Sequence, residues 1–151
     1  MQRRSVGAEG AERLAAVELF DEVPVGERRM LARLVDEITA AAGETLMEQG
    51  SSGYEFVMIE DGTAEVRRDG ERINTLGAGD FFGELAVLAD GAPRSATVTA
   101  TSDLRGLAFT AHFMREMRAR LPRVGERIDL AAAARLARDA AAGRDTRRSS
   151  G

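Results

Sequence analysis

The chain carries at residues 81–98 the stretch FFGELAVLADGAPRSATV, in which a carboxylate and a guanidinium lie on either side of an apolar run. The run from Leu85 to Leu88 contains no helix breaker and predicts about one turn of helix. The start of a helix leaves backbone N–H groups unpaired and favours an anion. Arg94 adds a planar, permanently charged group suited to a phosphate, whereas Glu84 repels phosphate but accepts hydrogen bonds from sugar hydroxyls. The stretch therefore predicts a pocket for a phosphorylated sugar.

This stretch resembles the phosphate-binding cassette of the cyclic nucleotide-binding domain family, which includes bacterial catabolite activators, regulatory subunits of cyclic AMP-dependent kinase and cyclic nucleotide-gated channels. The family pattern F-G-E-[LI]-A-L matches residues 82–86, with Val87 where Leu is commoner, and P-R-[ASTV]-A-[TS]-V matches residues 93–98. The resemblance implies that Glu84 binds the ribose 2′-hydroxyl and that Arg94 binds the cyclic phosphate. The ligand-binding residues assigned on this basis are Phe82, Gly83, Glu84, Leu85, Ala86, Arg94, Ser95, Ala96 and Thr97.

Three small residues follow Arg94 in the motif. A side chain bulkier than that of Ala96 would fill the space that the phosphate needs. The Ser95 hydroxyl could bond the phosphate or the purine edge, whereas Thr97 could equally be an ordinary strand residue. In the family, Thr at the position of Ser95 is associated with the guanine nucleotide and Ala or Ser with cyclic AMP. The resemblance therefore favours cyclic AMP over cyclic GMP as the ligand.

Composition narrows the class of protein. A chain of 151 residues favours one domain, and a net charge of −4 argues against nucleic-acid binding, which needs a basic face. Cysteine is absent, so disulfides, thiol catalysis and thiolate zinc sites are excluded. The single histidine, His112, argues against a cupin-type metal site and is expected at a surface or interface. Neither a signal peptide nor a membrane-spanning apolar run is recognisable, so we expect a soluble cytoplasmic protein without membrane contact.

Hydrophobic spacing predicts two N-terminal helices followed by short strands. Apolar residues recur at helical spacing in 11–20 and again in 27–35, where Met30 and Leu34 share a face. From about residue 37 the period changes to two, with glycine-containing turns between short segments. The pairs Asp61-Gly62 and Asp69-Gly70 predict two tight hairpins, joining 54–60 to 63–68 and 63–68 to 71–76. Residues 55–59 are expected in a central strand, and residues 95–101 and 104–109 in two later strands.

The C-terminal part predicts helices. Thr110 is a candidate N-cap for a helix carrying Phe113, Met117 and Leu121, and Pro122 either ends that helix or begins the next. In the family, the last helix caps the base with a hydrophobic or aromatic side chain. No aromatic residue follows Phe113, so the resemblance implies an aliphatic cap, with core or dimer packing as the alternative. The candidate caps are Ile128, Leu130 and Leu136.

Together these observations predict a mainly β protein with flanking helices, a double-stranded β-helix (jelly-roll) barrel with N-terminal helices and C-terminal lid helices. The expected divisions are a disordered N-terminus at 1–10, a cyclic nucleotide-binding domain at 11–142 and a disordered tail at 143–151. Within the domain, we expect helices at 11–36, the barrel at 37–109 and helices again at 110–142.

The predicted activity is sensing rather than catalysis, because the site lacks a second carboxylate, a partnered general base and a metal cluster. The resemblance implies that ligand rearranges the helices to act on an unidentified protein effector in trans, or that the sequence is a fragment of a larger protein. A homodimer through the C-terminal helices is a further expectation. The alternative is an interaction scaffold of the same fold that has lost nucleotide binding.

Overall fold

A computed structural model of the protein describes residues 1–7, 10–15, 23–51, 56–83, 93–127, 129–130, 133–134 and 137. The helices are α1 (Gly10–Ala15), α2 (Val25–Ala32) and α3 (Ala111–Arg120), and residues 122–127 are also helical. The strands are β1 (Gln2–Ser5), β2 (Val35–Ala40), β3 (Thr45–Met47), β4 (Phe56–Asp61), β5 (Ala64–Arg68), β6 (Glu71–Leu76), β7 (Phe81–Phe82), β8 (Thr97–Ala100) and β9 (Leu104–Phe109). The predicted mainly β architecture with flanking helices is confirmed.

The described strands form two antiparallel sheets. The first has five strands in the order β1-β2-β9-β4-β7, and the second has four in the order β3-β8-β5-β6. Strand β9 pairs with both β2 and β4, and β8 pairs with both β3 and β5. Among these neighbours only β5 and β6 are joined by a tight turn. Strands β1 and β2 are consecutive strands of the chain, but their paired residues lie about thirty or more positions apart.

Alternation along the strands divides the core into two clusters. In β4, Phe56 and Met58 face the helices, whereas Val57 and Ile59 face the second sheet. The helix side buries Leu14, Leu31, Phe109, Phe113 and Met117. The side between the sheets buries Ile38, Val66, Val98 and Ala108 with other small and aliphatic residues. The first sheet is thus covered on both faces, which explains why residues 56–59 read as a continuous apolar run.

The two predicted hairpins have different outcomes. Asp69-Gly70 joins β5 to β6 as a hairpin, with φ of +54° and +82°, as a type I′ turn requires at both centre residues. The hairpin predicted at Asp61-Gly62 is wrong, because β4 and β5 lie in different sheets. At this corner only Gly62 has a positive φ, of +99°. A Cβ there would collide with the Asp103 carbonyl oxygen and lie 2.8 Å from the Leu104 Cα, so the glycine lets the chain cross between sheets.

The N-terminus also differs from the prediction of disorder over residues 1–10. Gln2–Ser5 form β1 on the edge of the first sheet, although all four residues are exposed and polar. Pairing with β2 supplies the hydrogen bonds, and ion pairs join Arg3 to Asp36 and Arg4 to Glu37. These contacts come from more than thirty positions along the chain, so a local pattern does not reveal them. Residues 8 and 9 lie outside the described residues.

The predicted helix boundaries need smaller corrections. Helix α2 ends at Ala32, and Val35, the last residue of the helix predicted at 27–35, is a buried residue of β2. The barrel strands accordingly begin two positions before residue 37. Of the first predicted helix, residues 16–20 lie outside the described part, while Leu14 of α1 is fully buried.

The predicted N-cap of the first C-terminal helix is confirmed. The Thr110 side chain accepts a hydrogen bond from the Phe113 backbone N–H at 3.1 Å, so it caps α3 as predicted. Residues 122–127 are helical, and Pro122 therefore begins a helix rather than ending one. His112 is exposed. The tail at 143–151 lies outside the described residues.

Candidate functional site

Strand β7 and the segment before β8 bring the two ends of the 81–98 stretch together. Phe82 pairs with Val57 of β4 and is buried, and Gly83 follows with a φ of +87°. The Nη1 of Arg94 donates to the Gly83 carbonyl oxygen at 3.2 Å. The two flanks of the stretch, the end of β7 and the Arg94 side chain, therefore lie within hydrogen-bonding distance of each other.

The part of the motif that supplies its carboxylate is not described. Glu84, Leu85 and Ala86, together with the helical turn expected at Leu85 to Leu88, lie outside the described residues. The described part of the stretch consists of its two flanks, the end of β7 on one side and the Arg94 segment on the other.

The backbone of Arg94 is held by a turn that sequence reasoning did not assign to the site. The Gly50 N–H donates to the Arg94 carbonyl at 2.9 Å, and the Arg94 N–H donates to the Ser51 carbonyl at 2.8 Å. Gly50 has a φ of +83°, which favours glycine at this point of the turn. The guanidinium itself is partly buried. The turn therefore fixes the point from which the Arg94 side chain extends.

The three small residues after Arg94 have distinct environments. Ala96 is buried in the cluster between the sheets, where Phe82 also packs. The Ser95 carbonyl accepts from Arg68 Nε at 3.1 Å, and the Thr97 hydroxyl oxygen accepts from the Gln49 N–H at 3.0 Å. The Thr97 side chain thus has a structural partner, in line with the interpretation of it as a strand residue.

Sequence reasoning missed these supporting contacts because they are distant along the chain. Gln49 and Thr97 are 48 positions apart, and Arg68 and Ser95 are 27 apart. The glycine at position 50 marks a turn, but it does not indicate which segment the turn touches. Only the pairing of β8 with both β3 and β5 brings these groups beside Arg94.

A separate network of charges joins α1 to the first sheet. Arg13 of α1 donates from Nη1 to Glu37 Oε2 at 2.7 Å and from Nε to Glu60 Oε2 at 3.0 Å. Arg4 donates from Nε to Glu37 Oε1 at 2.8 Å, and Arg105 lies 3.8 Å from Glu60. The hydrogen bond from Arg4, with the one from Arg13, lowers the pKa of Glu37 from about 4.5 to about 2 despite burial. Pairing with Glu60, above all, raises the pKa of Arg13. The network fastens α1 to β2 and β4.

A cavity of about 410 Å³ lies beside Asp61, the last residue of β4. Its walls include Asp61, Asp103 and Arg105, and also Glu44, whose carboxylate pairs with the N-terminal ammonium. That ammonium, with the Ala41 backbone N–H, lowers the pKa of Glu44. Across the described ranges, no set of three or more His, Cys, Asp or Glu residues is arranged to hold a metal ion. No helix among the described residues has the length and apolar character needed to cross a membrane.

Comparison with known proteins gives consistent matches. A model of the family described as cyclic nucleotide-binding domain matches residues 37–120, more than half of the chain. The cAMP-dependent protein kinase regulatory subunit of Mycosarcoma maydis is 40% identical over 99 residues, which cover 61% of this chain and 19% of that protein. The catabolite activator protein of Thermus thermophilus is 26% identical with a TM-score of 0.68, over 85% of this chain and 62% of that one.

A third match is a structure described as cAMP-bound PfPKA-R, which is 26% identical with a TM-score of 0.65, over 74% of this chain and 40% of that one. The chain spans about a fifth of the length of the curated relatives it matches. The similarity to solved structures confirms the predicted jelly-roll fold with its flanking helices.

Proposed function

The chain belongs to the cyclic nucleotide-binding domain family, and on that premise we propose that it binds cyclic AMP reversibly as a regulatory sensor. The observation that carries the proposal is the hydrogen bond between Arg94 and the Gly83 carbonyl, 3.2 Å long. It joins the two halves of the sequence motif. A planar guanidinium placed there suits an anionic phosphate, with which it can form two parallel hydrogen bonds.

We assign the ligand contacts to nine residues. Glu84 accepts hydrogen bonds from the ribose 2′-hydroxyl, and Arg94 binds the cyclic phosphate. Ser95, a small hydroxylated residue, favours cyclic AMP over cyclic GMP. The remaining contacts come from Phe82, Gly83, Leu85, Ala86, Ala96 and Thr97.

Binding without turnover fits the chemistry of these residues. Glu84 and Arg94 each pair with a group already present in the bound nucleotide, and hydrolysis of a cyclic phosphate ordinarily needs a metal or an activated nucleophile. Membership of a family of regulatory domains also supports binding without turnover. The output is then conformational, which requires two states of different ligand affinity.

The proposed output is a rearrangement of the C-terminal helices that acts on a protein effector, in trans or within a longer protein. Leu130 is the described candidate for the aliphatic cap over the base, and its side chain is 65% exposed. The other two candidates, Ile128 and Leu136, lie outside the described side chains. A homodimer through the same helices is part of the proposal.

Titration calorimetry with cyclic AMP tests the assignment of Arg94. Arg94→Ala leaves the phosphate without its charged partner and should cost about 2–5 kcal/mol of binding, as for one partner of a buried charged pair. Arg94→Lys should recover only part of that loss, because an ammonium lacks the planar fork.

The control is Arg72→Ala, which removes an exposed arginine from β6 and should leave the affinity unchanged. Equal affinity of Arg94→Ala and the wild type would contradict the phosphate assignment. A wild-type protein that binds neither cyclic AMP nor cyclic GMP would instead support an interaction scaffold without nucleotide binding.

A further inference from the structure

The turn at residues 48–51 is connected to three other segments. Its two backbone hydrogen bonds to Arg94 run in opposite directions, at 2.9 and 2.8 Å. The turn is closed by the Ser51 N–H, which donates to the Glu48 carbonyl at 3.1 Å. The Gln49 N–H reaches Thr97 at 3.0 Å. The segment that carries Arg94 therefore cannot move independently of this turn.

The Gln49 side chain extends the connection to the tip of the β5–β6 hairpin. Its Nε2 donates to Asp69 Oδ1 at 2.9 Å, and its Oε1 accepts from the Asp69 backbone N–H, also at 2.9 Å. Asp69 has a φ of +54°, the only positive value at a non-glycine residue in the described part of the chain. The amide thus makes a two-bond bridge to a hairpin tip of fixed geometry.

We propose that Gln49 is a positioning residue for the phosphate-binding guanidinium of Arg94. This inference rests on the proposed function. Gln49 fixes the turn relative to the β5–β6 hairpin, and the turn fixes both the N–H and the carbonyl of Arg94. Because the hairpin belongs to the second sheet and Gly83 follows a strand of the first, the bridge sets how the Arg94 side chain crosses from one sheet to the other.

The bridge contributes to ligand affinity more than to stability. Its hydrogen bonds are exposed, and exposed hydrogen bonds add little to folding because water competes for the same groups. A displaced anchor, in contrast, moves the guanidinium out of bidentate geometry, on which much of the strength of an arginine–phosphate pair depends. The expected signature is a loss of affinity without a matching loss of thermal stability.

The test compares cyclic AMP affinities of variants at both ends of the bridge. Gln49→Ala should raise Kd about five- to tenfold, a loss of about 1.0–1.4 kcal/mol. Gln49→Glu should do at least as much, because it sets a carboxylate against that of Asp69 and removes the donor. Combining Gln49→Glu with Asp69→Asn restores a donor and an acceptor, and Asn tolerates the positive φ, so affinity should return to within about twofold of the wild type.

The matched control is Gln2→Ala. Gln2 is the other glutamine of the chain and lies on β1, so its truncation should leave Kd unchanged. A double-mutant cycle tests whether Gln49 acts through Arg94. In an Arg94→Ala background, Gln49→Ala should change Kd less than about twofold. Unchanged affinity of Gln49→Ala, failure of the paired substitutions to restore it, or fully additive losses would each overturn the inference.

Hydrogen exchange at the Arg94 amide gives a readout without ligand. That N–H is bonded to the Ser51 carbonyl, so Gln49→Ala should speed its exchange about tenfold and the paired substitutions should restore protection. If the wild type fails to bind cyclic AMP, the proposed function fails while this measurement still decides the role of Gln49. Unchanged exchange in Gln49→Ala would refute the positioning role.

Discussion

Glu37 shows how one residue links the N-terminal segments to the barrel. It is 9% exposed and is the one buried charged side chain among the described residues. Arg4 of β1 and Arg13 of α1 both donate to it. Removing one partner from such a cluster leaves buried charge uncompensated, which costs more than the loss of an exposed ion pair.

Glu37→Gln should therefore lower the free energy of unfolding by about 1.5–3 kcal/mol, the range for hydrogen bonds to charged groups. Glu65→Gln is the matched control, because Glu65 pairs on the surface with a half-exposed Arg67, and such pairs contribute about 0–1 kcal/mol. Urea unfolding at neutral pH measures both variants. Equal destabilisation by the two substitutions would show that the buried network adds nothing.

The same residue predicts a pH dependence. The pKa of Glu37 is lowered on folding from about 4.5 to about 2, so the folded state favours the ionised carboxylate. This contribution to stability is complete above about pH 4.5 and is lost as the pH falls towards 2. The difference in unfolding free energy between wild type and Glu37→Gln should shrink over that window. A difference independent of pH would contradict the assignment.

At the level of single residues, the sequence predicted which side chains carry the chemistry of the site, but not the contacts that hold those side chains in place. Arg94 and Gly83 belong to one contiguous motif, and their meeting follows from that motif. Gln49 and Arg68 were missed, because their partners lie on other strands and no local pattern encodes such pairings. Glu84 remains a prediction from the motif alone.

At the level of elements, two Asp-Gly pairs show where local reasoning ends. Both predict a tight turn, and both contain a glycine with a positive φ. At the second pair, Asp69 also adopts a positive φ, and the chain forms the β5–β6 hairpin. After the first pair, Asp61-Gly62, the chain enters β5, which pairs with β6 and β8 in the other sheet. Whether a hairpin forms depends on the strands with which the next strand pairs. For β5 one of these is β8, which lies about thirty positions further along the chain.

Gly62→Ala should destabilise the protein strongly, because it adds both backbone strain and a collision with the backbone of Asp103 and Leu104. We expect a loss of about 3–5 kcal/mol. Gly43→Ala is the matched control, since Gly43 has a similar φ of +93° but open space around its Cα. It should lose only the strain, about 1–2 kcal/mol. Denaturant midpoints measure the difference. Equal losses of stability in the two variants would show that steric crowding at Gly62 does not contribute.

At the level of the whole molecule, the sequence predicted the fold class and most strands. Period-two segments and the motif sufficed for this, because the inner strands of the first sheet, β2, β9 and β4, consist mostly of buried residues. The edge strand β1 was missed because nothing apolar marks it. Its place depends on β2, the strand it joins.

Ligand binding should raise the stability of the whole domain. Cyclic AMP at a hundred times its Kd should add about 2.7 kcal/mol to the free energy of unfolding, since it binds only the folded state. Thermal melting with and without the nucleotide measures this. Adenosine, which lacks the phosphate, should give a much smaller shift, and Arg94→Ala should reduce the shift with cyclic AMP. An unchanged melting temperature at saturating cyclic AMP would contradict the sensor function.

The polar edge strand β1 has a consequence for concentrated solutions. A second copy that added its own β1 in antiparallel register would set Arg3 or Arg4 against an arginine of the incoming strand, and like charges facing across a ladder repel. Edge arginines thus discourage strand-to-strand growth of the kind that leads to fibres. Crowding alone should leave these molecules dispersed, and replacement of both arginines by threonine should make them precipitate on storage.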